Sequence, residues 1–175
     1  MAYTKWVIDP THSEVVFKVK HLMISTVTGN FKVFEGTVET ETEDFSKVKN
    51  LAFKADVNSV NTNNEDRDTH LKSEDFFVAE KFPEIKFNVE SFDAEAGQIE
   101  GNLTIKDTTK PISLEVDFGG VVVDPYGQTK AGLTANGKIS RKEFGLVWSA
   151  VTEAGSVVVG DQIKLSAEVQ FIKQA

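Results

Sequence analysis

The chain has 175 residues, 40% of them hydrophobic, which is enough for one globular domain with its own core. Its net charge of −8 disfavours nucleic acid and anionic membrane surfaces as partners, because both are bound by an excess of Lys and Arg. The sequence contains no Cys, so a disulfide framework, a thiolate nucleophile and a Cys-ligated metal are excluded.

Apolar and polar residues alternate along most of the chain, which predicts a succession of strands. The predicted strands span residues 14–22, 29–40, 49–58, 84–91, 98–106, 110–118, 129–140 and 161–172. One face of nearly every strand is apolar, so the strands enclose a common interior and expose the other face to water. The connections between the later strands are short, which favours antiparallel neighbours.

Small residues stand among the large rings on the inward faces of these strands. They are Ala55, Gly101, Ala135, Gly137 and Ala167. A closed antiparallel sheet of about eight strands has an interior just wide enough for side chains or one small ligand. We therefore predict an all-β barrel with a long, narrow cavity that suits a chain-like apolar molecule. The alternative is that the small residues face large ones across a filled core.

One long segment, residues 61–83, interrupts the pattern of strands. Thr62 and Glu65 have the spacing of a capping box, which predicts a short helix from there to about Ser73. Leu71 is its only aliphatic residue, so the helix cannot bury a full apolar stripe. Aromatic residues follow the helix instead. The segment near residues 62–80 is therefore predicted to be a lid over the barrel, fixed by its aromatic side chains.

The interior and the lid supply the candidate ligand-binding residues, all of them inward-facing strand residues or apolar residues of the lid segment. They are Phe17, Val19, His21, Phe31, Phe53, Ala55, Leu71, Phe76, Phe77, Ile85, Phe87, Leu103, Leu133, Ala135 and Leu165. The chain has 13 Phe residues against 2 Trp and 2 Tyr, a composition that favours a dry interior. A merely well-packed core is the alternative explanation for the same count.

The predicted lid helix also carries the candidates for contact with a polar head group, Arg67 and His70. They are three residues apart and therefore share one face of a helix. Ion pairs of these two residues with Asp66, Glu74 or a neighbouring loop are the alternative, and we favour this structural interpretation. His21 is in phase with the inward residues of its strand, and there too a structural role is favoured over ligand contact.

Nothing in the sequence specifies a reaction. His12, His21 and His70 are the only histidines, and no spacing typical of a metal site joins them, so no metal and no cofactor is predicted. No Ser lies in the G-x-S-x-G surroundings of a hydrolase nucleophile, and no Gly-rich phosphate loop opens a helix. We predict that the protein is not an enzyme.

Short motifs in a fixed order give the chain a likeness to a known family. They are Trp6-x-Ile8-Asp9-Pro10-x-His12-Ser13, Phe17-x-Val19-x-His21, Gly29-x-Phe31, Arg67-Asp68-x-His70-Leu71-x-Ser73-x-Asp75-Phe76-Phe77, Phe82-Pro83-x-Ile85-x-Phe87, Gly101-x-Leu103-Thr104-Ile105 with Thr109, and Arg141-x-x-Phe144-Gly145. Together they resemble the YceI-like family of bacterial lipid-binding proteins from Trp6 to about Ile172. The resemblance implies an extended eight-stranded antiparallel lipocalin-like barrel, a pocket for polyisoprenoids, isoprenoid quinones or fatty-acid derivatives, and a homodimer.

The resulting hypothesis is that residues 1–175 form a single YceI-like lipid-binding β-barrel domain. It would bind a long apolar lipid in transport, storage or sequestration. Two alternatives stay open: an enzyme acting on a small lipid with His21 or His70 as general base, and a stress-linked interaction module without a ligand. No stretch approaches the ~18 apolar residues of a membrane span. We predict a cytoplasmic protein, or a periplasmic one if a leader peptide was removed.

Overall fold

The protein is described by a computed structural model that covers residues 3–42, 45–148 and 158–175. These residues form strand segments, one α-helix and short 3-10 turns. The elements are β1 (Thr4–Ile8), β2 (Glu14–His21), β3 (Ser25–Phe31), β4 (Phe34–Thr40), β5 (Val48–Asp56), β6 (Val60–Asn61), α1 (Glu65–Lys72), β7 (Glu84–Asp93), β8 (Gln98–Ile105), β9 (Thr108–Val123), β10 (Thr129–Ser140) and β11 (Val159–Lys173).

The strands form one antiparallel sheet that closes on itself. Around the ring the order is β1, β4, β5, β7, β8, β9, β10 and β11, and β11 pairs again with β1. The ring is therefore an eight-stranded closed barrel, as the sequence predicted. Closure depends on the length of β11, because its first part pairs with β2 and its last residues pair with β1. β2, β3 and β6 extend the wall beyond the ring.

Two of the barrel strands are interrupted, which the alternation did not predict. β1 and β2 are two halves of one strand separated by the 3-10 turn Pro10–His12, and the first half was missed. The predicted strand 29–40 is likewise two segments, β3 and β4, separated by Lys32 and Val33. At each interruption the two halves of the strand pair with different neighbouring strands. β1 pairs with β4 whereas β2 pairs with β3.

The helix α1 lies where the sequence predicted it, but the predicted capping box is wrong. Asn64 is the N-cap, and its side-chain oxygen accepts the backbone N–H of Arg67 at 3.0 Å. Thr62 lies before the cap and is buried, and its hydroxyl donates to Asp68 at 2.6 Å. The Thr62 side chain, which was predicted to cap the helix, therefore lies outside the helix and forms a hydrogen bond to the helix residue Asp68. No residue of α1 itself is fully buried.

The side chains inside the barrel form two clusters, one at each end. The cluster at the lid end includes Phe31, Val57, Phe76 and Phe144, with Leu71 and Phe77 packed against it. The cluster at the far end contains Trp6, Val38, Phe45 and Phe171, among others. Phe34, Phe53 and Phe87 pack against both clusters. The wall is therefore apolar along its whole length.

The small inward residues divide into two kinds. A methyl group at Gly101 would lie 2.9 Å from the ring of Phe87, and one at Gly137 would lie 2.3 Å from the side chain of Leu114. Large neighbours thus cover both glycines, so these two positions leave no space. Ala55, Ala135 and Ala167 instead border an open cavity. The sequence alone did not separate the two kinds.

Candidate ligand cavity

A cavity of about 400 Å³ lies inside the barrel. Its size falls in the range of about 300–1,000 Å³ that is common for small-molecule sites. Most of the side chains around it are aliphatic or aromatic, and seven of them are Phe: Phe17, Phe31, Phe53, Phe76, Phe77, Phe87 and Phe171. Contact with such a wall is favourable for apolar groups, at about 25 cal/mol for each Å² removed from water. The cavity is therefore suited to an apolar ligand.

The structure brings all the candidate ligand-binding residues of the sequence together around this cavity. The strands contribute Phe17, Val19, His21, Phe31, Phe53, Ala55, Ile85, Phe87, Leu103, Leu133, Ala135 and Leu165, and the lid segment contributes Leu71, Phe76 and Phe77. The head-group candidates Arg67 and His70 border it as well. Successive residues of a strand point to opposite faces. The alternation in the sequence had therefore already assigned the strand residues among them to the interior.

Other residues around the cavity were missed. Trp148 lies outside every predicted strand, yet its ring packs against His70 at 4.9 Å and Phe76 at 5.4 Å between centroids. Arg141 belongs to one of the family motifs but had no role assigned. No periodicity marks either residue, because neither lies inside a strand. Ile139 and Ile163 do lie on inward faces of strands, and the alternation could have identified them.

The two adjacent lid rings have different neighbours. Phe77 is half-buried and packs against Phe31 of the barrel wall, with ring centroids 6.2 Å apart. Phe76 is 7% exposed and lies between the helix and the loop after β10, where its ring contacts His70 at 5.0 Å and Trp148. Because the two rings are adjacent in the chain, one can face the barrel while the other packs under the helix. Both rings border the cavity.

Arg67 is held by the segment just before its own helix. Its Nε donates to the Thr62 hydroxyl at 2.8 Å, and its Nη2 donates to the Thr62 carbonyl at 2.6 Å. The Thr62 hydroxyl in turn donates to Asp68. These bonds fix the side chain at the edge of the cavity. They differ from the ion pairs with Asp66 or Glu74 that the sequence offered as the structural alternative.

His70 forms a pair with a carboxylate of the lid. Its Nε2 lies 2.8 Å from Asp75 Oδ2, and its ring packs edge-on against two aromatic side chains. His21 is exposed at the end of β2, and no carboxylate of the described residues binds its ring. His12 lies apart from the cavity and pairs with Asp9 at 2.7 Å. In the part of the chain that the structure describes, no three His, Cys, Asp or Glu side chains gather as a metal site.

Asp9 anchors the interruption between β1 and β2. It is 7% exposed and accepts hydrogen bonds from the Thr11 hydroxyl at 2.7 Å, from His12 and from Lys130 at 3.2 Å. Burial by itself would raise the pKa of Asp9, but the bonds from Thr11, His12 and Lys130 outweigh it and hold the pKa far below its usual range. This site therefore stabilises the strand break and does not face the cavity.

Arg141 is the most deeply buried basic residue at the cavity, with 2% of its surface exposed. Its guanidinium donates to the carbonyls of Leu146 and Trp148, both at 2.6 Å, and to those of Gly160 and Val159 on β11. These bonds tie the loop after β10 to the start of β11. Burial lowers the pKa of Arg141, and the negative charge of Asp161 partly opposes this shift.

A closed antiparallel barrel that encloses an apolar cavity under a short helix defines a lipocalin-like binding protein. A profile of the YceI-like domain matches residues 6–171, and the chain belongs to this family. It is 37% identical to a UPF0312 protein of Staphylococcus aureus strain USA300 over 169 residues, which are 96% of this chain and 97% of that protein. The resemblance found in the sequence motifs is thereby confirmed.

Solved structures show the same fold. The crystal structure of a YceI protein from Campylobacter jejuni is 35% identical, with a TM-score of 0.74 over 89% of this chain and 90% of that one. A polyisoprenoid binding domain from Saccharophagus degradans has a TM-score of 0.69 at 16% identity, over 97% of this chain and 98% of that one. In the described part of this chain, no helix reaches the length and apolarity that crossing a bilayer requires.

Proposed function

We propose that this protein binds a long apolar lipid inside the barrel and acts in lipid transport, storage or sequestration. The observation that carries the proposal is the apolar cavity between the aromatic cluster at the far end and the lid segment. A polyisoprenoid, an isoprenoid quinone or a fatty-acid derivative would fit such a wall. The Saccharophagus degradans domain, described as polyisoprenoid-binding, shares the fold and supports the same class of ligand.

In this proposal one group of candidate residues contacts the apolar chain of the ligand and another contacts its polar end. The strand residues and the rings of Phe76 and Phe77 would contact the chain, since they border the cavity. Arg67 and His70 would lie beside the polar end, because both stand at the lid. Their bonds to Thr62 and Asp75 hold them in place, which reduces the entropy that a ligand contact would otherwise cost.

The direct test is organic extraction of the purified protein followed by mass spectrometry, combined with uptake of prenyl and acyl chains. We expect a bound lipid, or saturable uptake of one added lipid for each chain. A clean extract together with no uptake would overturn the proposal. A variant that fills the cavity sharpens this test. Ala167→Phe places a ring at a half-buried inward position and should abolish uptake.

The control for this variant is Glu168→Phe. It adds the same ring one position along β11, on the exposed outward face. Because adjacent strand residues face opposite sides, this control should bind lipid as the unaltered protein does. If both variants bind equally well while folded, the ligand does not occupy the barrel.

One observation bears on the alternative of an enzyme. His70 is paired with Asp75 at the edge of the cavity, and a His oriented by a carboxylate can act as a general base when a reacting atom is within reach. Binding needs no such chemistry. Prolonged incubation with lipid esters followed by mass spectrometry separates the two functions, and we expect the esters to be recovered intact. Turnover that His70→Gln abolishes would establish the enzyme.

The remaining predictions concern organisation. We propose that residues 1–175 act as one lipid-binding domain, since strands from both ends of the chain complete the same ring. A homodimer and a cytoplasmic location stay predictions from the sequence. Light scattering tests the first, with a mass of twice 19.3 kDa expected for a dimer. Fractionation of the producing cells tests the second.

A further inference from the structure

Three lysine side chains stand in a row on the outer face of the barrel. Lys138 of β10 lies opposite Lys164 of β11, and Lys164 lies opposite Lys18 of β2. All three are exposed. Neighbouring strands are about 4.8 Å apart, so this lysine row places three positive charges along about 10 Å. Like charges directly opposite each other on neighbouring strands are destabilising, so the row lowers the stability of the barrel.

The lysine row is not neutralised by the described residues. Within this part of the chain its three ammonium groups form no ion pair and no hydrogen bond. Asp161 of β11 instead accepts hydrogen bonds from the Ser140 hydroxyl and the Lys142 N–H. Glu168 lies opposite Glu14, further along the strands toward the far end. The net charge of −8, which disfavours an anionic surface as partner, averages over this segregation of charge.

The turn between β2 and β3 exposes large apolar side chains beside these lysines. In this hairpin tip, residues 22–24, Met23 is 60% exposed and Ile24 is 83% exposed. Leu22 and Met23 have φ of 53° and 60°, in the left-handed region where Asn and Gly are favoured. The tip therefore combines a strained backbone with exposed apolar side chains, a combination that indicates a functional surface.

The hairpin tip is fixed at the lid end of the barrel. The Leu22 N–H donates to the carbonyl of Val158 at 2.9 Å, and the Ile24 N–H donates to the carbonyl of His21 at 3.2 Å. Lys20 precedes the tip on β2 and is exposed. Val158, His21 and Lys20 all border the cavity. The tip thus stands beside the rim of the cavity.

A second apolar hairpin tip, between β9 and β10, has acidic surroundings instead. It exposes Val123 and Tyr126. It lies at the far end, because Ala131 at the start of β10 belongs to the cluster there. The exposed charges on β9 behind it are those of Asp117 and Glu115. Exposed apolar side chains and unpaired lysines therefore coincide at the lid end and not at this far-end tip.

We propose that the hairpin tip and the lysine row dock this protein on an anionic lipid bilayer. A bilayer presents anionic head groups and, below them, acyl chains, which is the order in which the lysines and the apolar tip follow along β2. At ~3.3 Å per residue the tip extends about 8 Å beyond Lys20, within the ~5–10 Å depth of interfacial segments. Nucleic acid offers anions to the lysines but no apolar layer to Met23 and Ile24.

Co-sedimentation of the full-length protein with vesicles measures the docking. The vesicles are phosphatidylcholine alone or phosphatidylcholine with about 30% phosphatidylglycerol, which supplies the negative surface potential. Each Lys near an anionic surface contributes about fivefold in binding. We therefore expect at least about tenfold stronger binding to the anionic vesicles, with a ratio that falls as salt is added.

The outcomes are distinct from those that test lipid binding in the cavity. Equal binding to both kinds of vesicle, or binding to neither, would overturn the docking surface. Neither result affects lipid uptake, which is measured with lipid added from detergent and without a bilayer. The inference concerns the outer surface and does not depend on the ligand of the cavity.

Two triple variants separate the lysine row from net charge. The first neutralises the row: Lys18→Gln, Lys138→Gln and Lys164→Gln. It should weaken binding to the anionic vesicles at least about tenfold. The matched control neutralises three exposed lysines on other parts of the barrel: Lys5→Gln, Lys32→Gln and Lys86→Gln. An equal loss in both variants would show that only net charge matters and would overturn the site.

Ile24→Asp tests the hairpin tip. The side chain is exposed, so the variant should fold as before and bind the anionic vesicles about tenfold more weakly. Val123→Asp makes the same change at the far-end tip and should bind as the unaltered protein does. Unchanged vesicle binding by Ile24→Asp, with equally tight binding of duplex DNA at the same salt, would assign the lysines to polyanions in general and overturn the bilayer. A dimer that becomes a monomer in Ile24→Asp while vesicle binding is retained would assign the tip to a second copy, and would also overturn the inference.

Discussion

The two ends of the barrel are built from similar residues and packed differently. At the far end Trp6 and Phe45 are at most 1% exposed, and their rings meet edge to face at 5.0 Å. Phe45 also stacks on Phe118 at 5.1 Å, and the Trp6 indole donates to the buried Thr40 hydroxyl at 2.9 Å. At the lid end the helix buries no residue fully. Aromatic residues alone therefore do not decide whether an interior is filled.

The difference lies in what closes each end. The far end is closed by side chains that fill one another's gaps and satisfy their own polar groups, so it should supply stability. The lid end is closed by a polar helix fixed by Leu71, Phe76 and Phe77, so it should open at a lower free energy than the rest of the barrel. A barrel that must admit a ligand can be weakly packed at one end only if the packing at the other end supplies its stability.

The largest effect is expected at the tight end. Trp6→Ala should lower the free energy of unfolding by about 3–5 kcal/mol, because it removes a fully buried ring, and it also leaves the Thr40 hydroxyl unpaired. Trp6 does not border the cavity, so lipid affinity of the folded protein should change little. Urea unfolding and lipid titration measure the two quantities. Trp6→Phe, which keeps a ring, is the matched control, and an equal loss in both variants would contradict the packing argument.

The next effect separates the two lid rings. Phe76→Ala should cost about 3–5 kcal/mol, since this ring is buried between His70 and Trp148. Phe77→Ala should cost about 3 kcal/mol or less, because its half-buried ring borders space that is already empty. Lipid retention should fall more in Phe77→Ala. Thermal melts and binding titrations on both variants decide it.

The opposite pattern would have a clear meaning. If both variants lose stability in step and bind lipid with unchanged affinity while folded, the segment is ordinary core. It would then not be a lid, and the contrast between the two ends would fail.

A smaller effect is expected at the strand break. Asp9→Asn should lower stability by about 1–3 kcal/mol at neutral pH, because the buried carboxylate accepts charge-assisted bonds from His12 and Lys130. The pKa of Asp9 is lower in the folded chain than its ordinary value of 3.8. Its contribution is therefore complete above that value and is lost as the pH falls toward the folded pKa.

Denaturant unfolding of both proteins across this pH range provides the measurement. The difference in stability between the unaltered protein and Asp9→Asn should be constant near neutral pH and shrink on acidification below the ordinary pKa. A difference that does not depend on pH would show that the carboxylate acts through its shape and not through its charge.

The smallest effect is expected at the helix cap. Asn64→Ala should destabilise α1 by about 0.5–2 kcal/mol, because it removes the acceptor of the Arg67 N–H. Since α1 is the loosely packed element, amide exchange in residues 65–72 should become faster and bound lipid should leave sooner, while global unfolding changes little. Asn64→Asp keeps the acceptor and is the control. A loss of global stability equal to the cap energy would show that the lid and barrel unfold together.

The alternation of the sequence determined which side chains face the interior. A strand residue points to one face or the other by its place in the period of two, whatever its neighbours in space are. For this reason Phe17, Ala55 and Leu133 were placed correctly around the cavity without knowledge of any pairing. Seven of the eight strands of the ring and the position of the helix followed from the same local signals, whereas β1 was missed. The ligand contacts of these residues remain predictions.

The tertiary structure determined the features that depend on strand pairing and on hydrogen bonds between groups distant in the sequence. Register brings the Leu114 side chain over Gly137 and leaves Ala167 beside open space, although both small residues face inward. Thr62 does not cap the helix, because its hydroxyl bonds to Asp68 and accepts from Arg67 instead. The lining of the cavity combines residues of β2, the helix and the loop after β10, and their separation in sequence hides that they lie close together. The local pattern determines whether a strand residue points into the barrel or to solvent. Only the pairing and closure of the strands determine which inward side chains contact one another.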